Sequence, residues 1–207
     1  MSRPIGSTNQ GFDEKRTRLL TALREALFSA KPPMSFRGLA AAVGVSVPTL
    51  RHYFGDRDRL IVEVLRDCHR GAAEELEITA VALDDLEASV AAVLAHISAG
   101  FDYGGLTQLN RLGLTEGMSG PDLAAAYLAE VLEPTIRAIE SRLKTHIRRG
   151  QMRDIDPRFA ALQLISPVLM VYLHQDALNG KERYPLDRRV VLDELTRSFC
   201  RAHAPED

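Results

Sequence analysis

The sequence predicts an all-α protein: a three-helix head at the N-terminal end and a helical bundle after it, about nine helices in all. Three observations predict it. Apolar residues recur at i, i+3, i+4 and i+7 in one stretch after another, the spacing that gathers one face of a helix. Ser, Asp, Gly and Pro punctuate those stretches where helices start and stop. The chain is 45% hydrophobic but only 6% aromatic, without tryptophan, which suits helices packed through Ala and Leu.

Residues 1–12 are polar and bear Gly and Pro, so a mobile tail is expected there. The first helix is predicted over residues 13–30, burying Leu19, Leu20, Leu23, Ala26 and Leu27. Lys15, Arg16 and Arg18 lie in its first turns, unfavourably against the helix dipole. Either they meet a phosphate or they form a solvated face. Lys31, Pro32 and Pro33 end the helix. From residue 35 the chain reads SFRGLAAAVGVSVPTLRHYFGDRDRL. Phe36, Leu39, Ala40 and Val43 make one apolar face behind an N-capping Ser35. Gly44 follows the last periodic residue, where a left-handed conformation costs glycine nothing, and Val45 plugs the turn. Ser46 caps a second short helix with Pro48 in its first turn. Leu50 and Phe54 point back to the first of the pair, leaving Thr49, Arg51 and His52 facing out. Helix, tight turn and second short helix form a helix-turn-helix, whose second helix enters the DNA major groove. Gly55 and Asp56 turn the chain again. Asp56 caps a fourth helix, and Arg57 falls in its first turn, where a cation beside free amides makes a ready phosphate site. Leu60, Ile61, Val64, Leu65, Cys68 and Ala72 form its apolar stripe, predicted to continue to residue 80.

The run VGVSVPTLRHYFGDRDRL resembles the signature of the TetR family of bacterial transcriptional regulators. The matching features are Gly44-Val45-Ser46, the Thr49-Leu50 pair, the aromatic pair Tyr53-Phe54, and a polar turn leading to Arg57 and Leu60. The resemblance covers residues 16–65, about a quarter of the chain. One position departs: the family usually has tyrosine right after the Thr-Leu pair, and here Arg51 stands there, replacing a phenol with a guanidinium. The resemblance implies a DNA-binding face made of Arg37, Ser46, Val47, Pro48, Thr49, Arg51, His52, Tyr53 and Arg57. Val47 could meet a thymine methyl, and Arg57 sits where the family uses a basic residue for phosphate. Arg3 in the tail could reach a groove, although plain disorder accounts for it as well.

Beyond residue 83 the chain stays helical, with no catalytic motif. Helices are predicted over 85–100, 106–116, 122–149 with a kink at Pro134, 157–179 with a bend at Pro167, and 187–203. The stretch 157–179 is apolar on more than one side and must be covered by something. In the TetR family the last two helices of two subunits form a four-helix bundle. By that resemblance 157–179 and 187–203 are a homodimer surface; filling the monomer's own core is the alternative. The helices from 83 to 149 enclose an effector pocket in family members, so the polar and aromatic groups to inspect are His96, Phe101, Tyr103, Asn110, Arg111, Glu116, Tyr127 and His174. Each has an ordinary competitor: Phe101 and Tyr127 are more often plain core, and His96 is more often a hydrogen-bonded core histidine than a ligand contact.

The net charge of −2 hides an asymmetry. Residues 1–70 carry 12 Lys+Arg against 7 Asp+Glu, and the remainder 14 against 21, so only the first part suits a polyanion. No apolar run approaches a membrane span and no secretory signal is visible. Cys68 and Cys200 sit far apart in apolar helical patterns, which fits a reducing cytoplasm and no disulfide framework. Cys68-His69 lacks further ligands at zinc spacing. The expected organisation is a DNA-binding domain over 1–60 and a ligand-binding and dimerisation domain over 61–207. The expected function is a non-enzymatic regulator, a repressor released from a near-palindromic operator by a small molecule, with no cofactor, metal or membrane. The alternative is a small helical ligand-binding protein or enzyme whose head leaves DNA alone; no nucleophile elbow, phosphate loop or HExxH helix supports it.

Overall fold

The computed structural model describes residues 7–30 and 33–205, and among them every regular element is helical. Arg3 and the first half of the expected tail lie outside the described residues, as do Lys31 and Pro32. The described chain falls into two compact units. One holds the residues up to Cys68 together with Leu112–Tyr127; the other holds His69–Arg111 and the chain from Leu128 onward.

The first unit is built on α1 (Ser7–Ser29), α2 (Phe36–Ala42), α3 (Val47–Phe54) and α4 (Arg57–Gly71). Leu19, Leu20, Leu23 and Leu27 of α1 are buried as their spacing requires, with Leu39, Leu50, Phe54, Leu60, Ile61, Val64 and Leu65. Every cap anticipated around α2 and α3 is present. Ser35 Oγ accepts from the Gly38 amide at 3.1 Å, Ser46 Oγ from Thr49 at 3.2 Å, and Asp56 Oδ1 from Arg59 at 2.9 Å. Gly44 has φ +69°, and the Val45 amide reaches back to the Ala40 carbonyl at 3.0 Å, closing the end of α2. One expectation is corrected: α1 starts at Ser7, six residues before the predicted boundary, because Phe12 stacks on Tyr53 (centroids 4.7 Å apart) and gives the extra turn something to pack on. The last residues of α7 (Leu106–Gly117) and α8 (Pro121–Tyr127) complete this unit.

The second unit contains α5 (Ala73–Ala80), α6 (Leu86–Asp102), the start of α7, α9 (Glu133–Arg148), α10 (Pro157–Tyr172) and α11 (Arg188–Ala202). Helix α9 packs on α5 and α10, and α6 on α11. Val90, Val93, Leu94 and Ile97 of α6 share a core with Ile139, Leu143, Ala160, Leu164 and Val168. Phe101 and Tyr172 stack within it, centroids 4.2 Å apart. Arg142 of α9 is also buried; its guanidinium donates to the carbonyls of Ile78, Thr79 and Ser89 and to Ser89 Oγ, all within 3.0 Å. Those bonds close the carboxyl end of α5, whose last carbonyls have no partner within the helix.

Three further helices depart from expectation. The helix predicted to run on to residue 80 breaks at Ala72, after Gly71, a residue that weakens helix interiors. Pro134 acts one turn earlier than its own position. It cannot donate to the Glu130 carbonyl and its ring crowds that group, and the backbone widens into a π-turn at Leu128–Leu132 before α9 begins. The chain stays α-helical through Pro167, beside which Ser166 Oγ donates to the Leu162 carbonyl at 2.7 Å, and opens into a second π-turn at Leu173–Ala177. No described helix is long and apolar enough to cross a membrane.

Candidate nucleic-acid interface

The α2–turn–α3 segment presents a mixed polar surface for local reasons. Leu50 and Phe54 are buried, so the helical period sends Arg51 and His52 outward. Arg37, Ser46, Pro48, Arg51 and His52 are exposed, while Val47, Thr49 and Tyr53 are half-buried. The hydroxyls of Ser46 and Thr49 lie 2.8 Å apart and serve the cap of α3. Gly55 ends that helix at φ +77°, ψ −99°, a conformation open in practice to glycine alone. The site is therefore a short, doubly capped helix with two cationic or titratable side chains on its outer face.

Neighbouring segments fix this reader. Phe12 stacks on Tyr53 and meets His52 edge-on at 5.7 Å, and His52 lies edge-on to Tyr53 at 5.3 Å. Lys15 Nζ sits 5.9 Å from the centre of the Tyr53 ring. Arg16 lies over the Phe54 ring and pairs with Glu63 at 2.6 Å, which settles that cation inside its own unit. The Glu63 carboxyl is half-buried, which favours protonation, but Arg16 and Arg66 outweigh this and hold its pKa below the ordinary value.

Arg57 stands at the first residue of α4, as the motif places it, but its guanidinium is engaged. Nη1 and Nη2 donate to the two carboxylate oxygens of Glu116 at 2.8 and 2.6 Å, and Nε donates to the Met34 carbonyl at 2.8 Å. The Glu116 side chain is 5% exposed and that of Arg57 25%. The hydrogen bond to Glu116 raises the Arg57 pKa above its ordinary value, against the opposing effect of burial. Breaking a buried pair of this kind costs about 3 kcal/mol or more, because the abandoned carboxylate stays out of water.

The residues singled out as pocket candidates fall in both units. Glu116 and Tyr127 belong to the first unit: Glu116 holds Arg57, and the Tyr127 ring covers Gly113, where a Cβ would lie 2.1 Å from it. Phe101 is core, stacked on Tyr172. His96 faces the Glu75 carboxylate at 3.1 Å. The Asn110 amide donates to the Leu106 carbonyl, Arg111 is half-buried, and His174 lies beside Gln175. Tyr103 alone of the eight lines a groove of the second unit, about 420 Å³ between α6 and α11. Its floor is Ala91, Ala95, Ala99, Leu94 and Leu192, and its end carries Ser98, Asp102 and Arg188. Arg188 there pairs with Asp102 and Asp176 and lies over the Tyr172 ring at 4.5 Å. The sequence did carry a signal for this groove, small residues at i, i+4 and i+8 on α6. Phe12 was signalled too, one turn before Arg16 and two before Leu19. Nothing local announces the Met34 carbonyl as a partner of Arg57.

Comparison with known proteins gives this geometry its class. Residues 90–205 match the family model described as the AefR-like transcriptional repressor C-terminal domain, a TetR-family domain. That match spans more than half of the chain, and the chain belongs to the TetR family of transcriptional regulators. No curated protein matches it. Several solved structures share its fold. A Mesorhizobium loti protein assigned to the TetR family has a TM-score of 0.74 at 19% identity, covering 93% of this chain and 98% of its own. Salmonella enterica GusR has a TM-score of 0.68 at 19% identity, covering 98% and 97%. Bacillus subtilis FadR, solved with stearoyl-CoA, has a TM-score of 0.66 at 15% identity, covering 89% and 95%.

Proposed function

We propose that the chain is a repressor that binds a near-palindromic operator as a homodimer and leaves it when a small-molecule effector binds. The observation that carries the reading is the capped α3 helix with Arg51 and His52 exposed, preceded by an α2 on which Arg37 is also exposed. Ser46, Val47, Pro48, Thr49 and Tyr53 complete the face offered to the groove and its phosphates. Residues 1–60 serve DNA, and residues 61–207 serve the effector and the dimer. Phe159, Leu162 and Met170 stand exposed on one face of α10, with Val190 on α11, and support pairing of two copies through these helices. A two-fold dimer sets its recognition helices about one DNA turn apart.

FadR, which shares the fold, was solved with stearoyl-CoA, and this supports a ligand-binding role for the chain. The α6–α11 groove, about 420 Å³ with Tyr103, Asp102 and Arg188 in its lining, has room for a smaller, drug-sized molecule. An effector favouring the DNA-incompetent arrangement shifts the population off the operator, and operator DNA must then weaken effector binding by the same factor. The protein acts beside the DNA, in the cytoplasm, without catalysing a reaction. A mobility-shift titration with the duplex just upstream of its own gene tests the reading. Retardation by the wild-type chain, weakened about tenfold by Arg51→Ala, is the expected result. Absence of any shift at low salt overturns it.

A further inference from the structure

We propose that Arg57 is a positioning residue for DNA binding: keyed to Glu116 and to the Met34 carbonyl, it holds both ends of the helix-turn-helix and touches no phosphate itself. The proposal rests on the DNA-binding reading and refines one residue of it. Met34 immediately precedes the Ser35 cap of α2, and Arg57 follows the Asp56 cap that ends the turn after α3. The whole reader, residues 35–56, therefore hangs between two points that a single guanidinium joins. Glu116 supplies the third point from the last turn of α7. All three guanidinium nitrogens donate within the protein. Swinging the fork to a phosphate would forfeit these bonds and strand a buried carboxylate, whereas a single phosphate contact at the surface returns little in a solvent of high dielectric. The planar fork also matters, since Lys has one donor head and cannot hold both carboxylate oxygens and a carbonyl in this arrangement.

The experiment compares wild type with Arg57→Ala, Arg57→Lys, Glu116→Gln and the double variant Arg57→Ala/Glu116→Gln. Anisotropy titrations use a labelled duplex of the upstream sequence over a series of salt concentrations. They are run at a temperature where circular dichroism shows each variant fully folded, so that lost stability alone does not move the affinity. The expected result is that every single variant weakens binding about tenfold while the slope of log K against log salt stays at the wild-type value. The double variant is expected to be no weaker than either Ala or Gln alone. A slope reduced by about one in Arg57→Ala and restored in Arg57→Lys makes Arg57 a phosphate contact and overturns the proposal. Unchanged or tighter binding by Glu116→Gln, a near-isosteric change expected to fold, overturns it as well. Failure of the wild-type chain to bind any duplex removes the DNA reading itself, and is told apart because it precedes every comparison between variants.

Discussion

Gly55 shows how much can hang on one backbone conformation. At φ +77° and ψ −99° it lies where any L side chain is strained, and an added Cβ would also sit 3.2 Å from Arg59 Cδ. Gly55→Ala should cost about 1–3 kcal/mol, read as a melting temperature lower by about 2–12 °C. Gly44, at φ +69° with nothing near its Cβ, should tolerate alanine better, because only the backbone term applies. Residues of this kind are legible in a sequence: Gly44, Ser35, Ser46 and Asp56 each do what their chemistry suggests at that spot. Arg57 is legible only as to its place. Its partner Glu116 lies 59 residues away, and no local pattern reaches that far.

Among elements, the amphipathic helices were readable because each buries one stripe, and α2, α3, α6 and α11 fall close to their expected bounds. The two π-turns were not readable. A proline announces trouble in a helix, but whether the chain kinks, breaks or widens depends on what packs around it, as the different outcomes at Pro134 and Pro167 illustrate. The pocket candidates were hard to read for a related reason. Single polar residues on apolar helices mark neither core nor cavity until their neighbours are known, and His96 and Asn110 found partners nearby.

The end of α11 carries a prediction at this scale. His203 is buried against Phe199, its Nε2 faces Gln163 Oε1 at 2.9 Å, and its Nδ1 is buried with no hydrogen-bond partner among the described residues. Burial, helped by the nearby Arg153, lowers its pKa below the ordinary 6.5. Above that value both folded and unfolded chains hold a neutral ring, and the contribution is fully present. As pH falls below it the unfolded chain takes the proton first, and stability drains away until the folded value is reached. The melting temperature of wild type should therefore drop more between about pH 7.5 and about pH 5.5 than that of His203→Gln. Parallel curves would show that His203 plays no part.

At the scale of the assembly, the apolar stripe on α10 is the feature in need of a cover. Phe159 is 53% exposed and Met170 61%, on a helix whose opposite side already fills the core. Leu162→Glu/Met170→Glu should give a folded monomer by light scattering that no longer retards operator DNA, because one short reader alone holds too few contacts. A variant that remains dimeric would place the pairing surface elsewhere.

The arginine that ties α9 to the end of α5 reaches further than its bonds. Arg142 meets carbonyls and a hydroxyl rather than a carboxylate. A cation in that position is comfortable only while α5, α6 and α9 all stay in place, since losing any one strips it of acceptors or of its cover. Its place in the core thus ties the three helices into one cooperative block, so that loosening one weakens the hold on the other two.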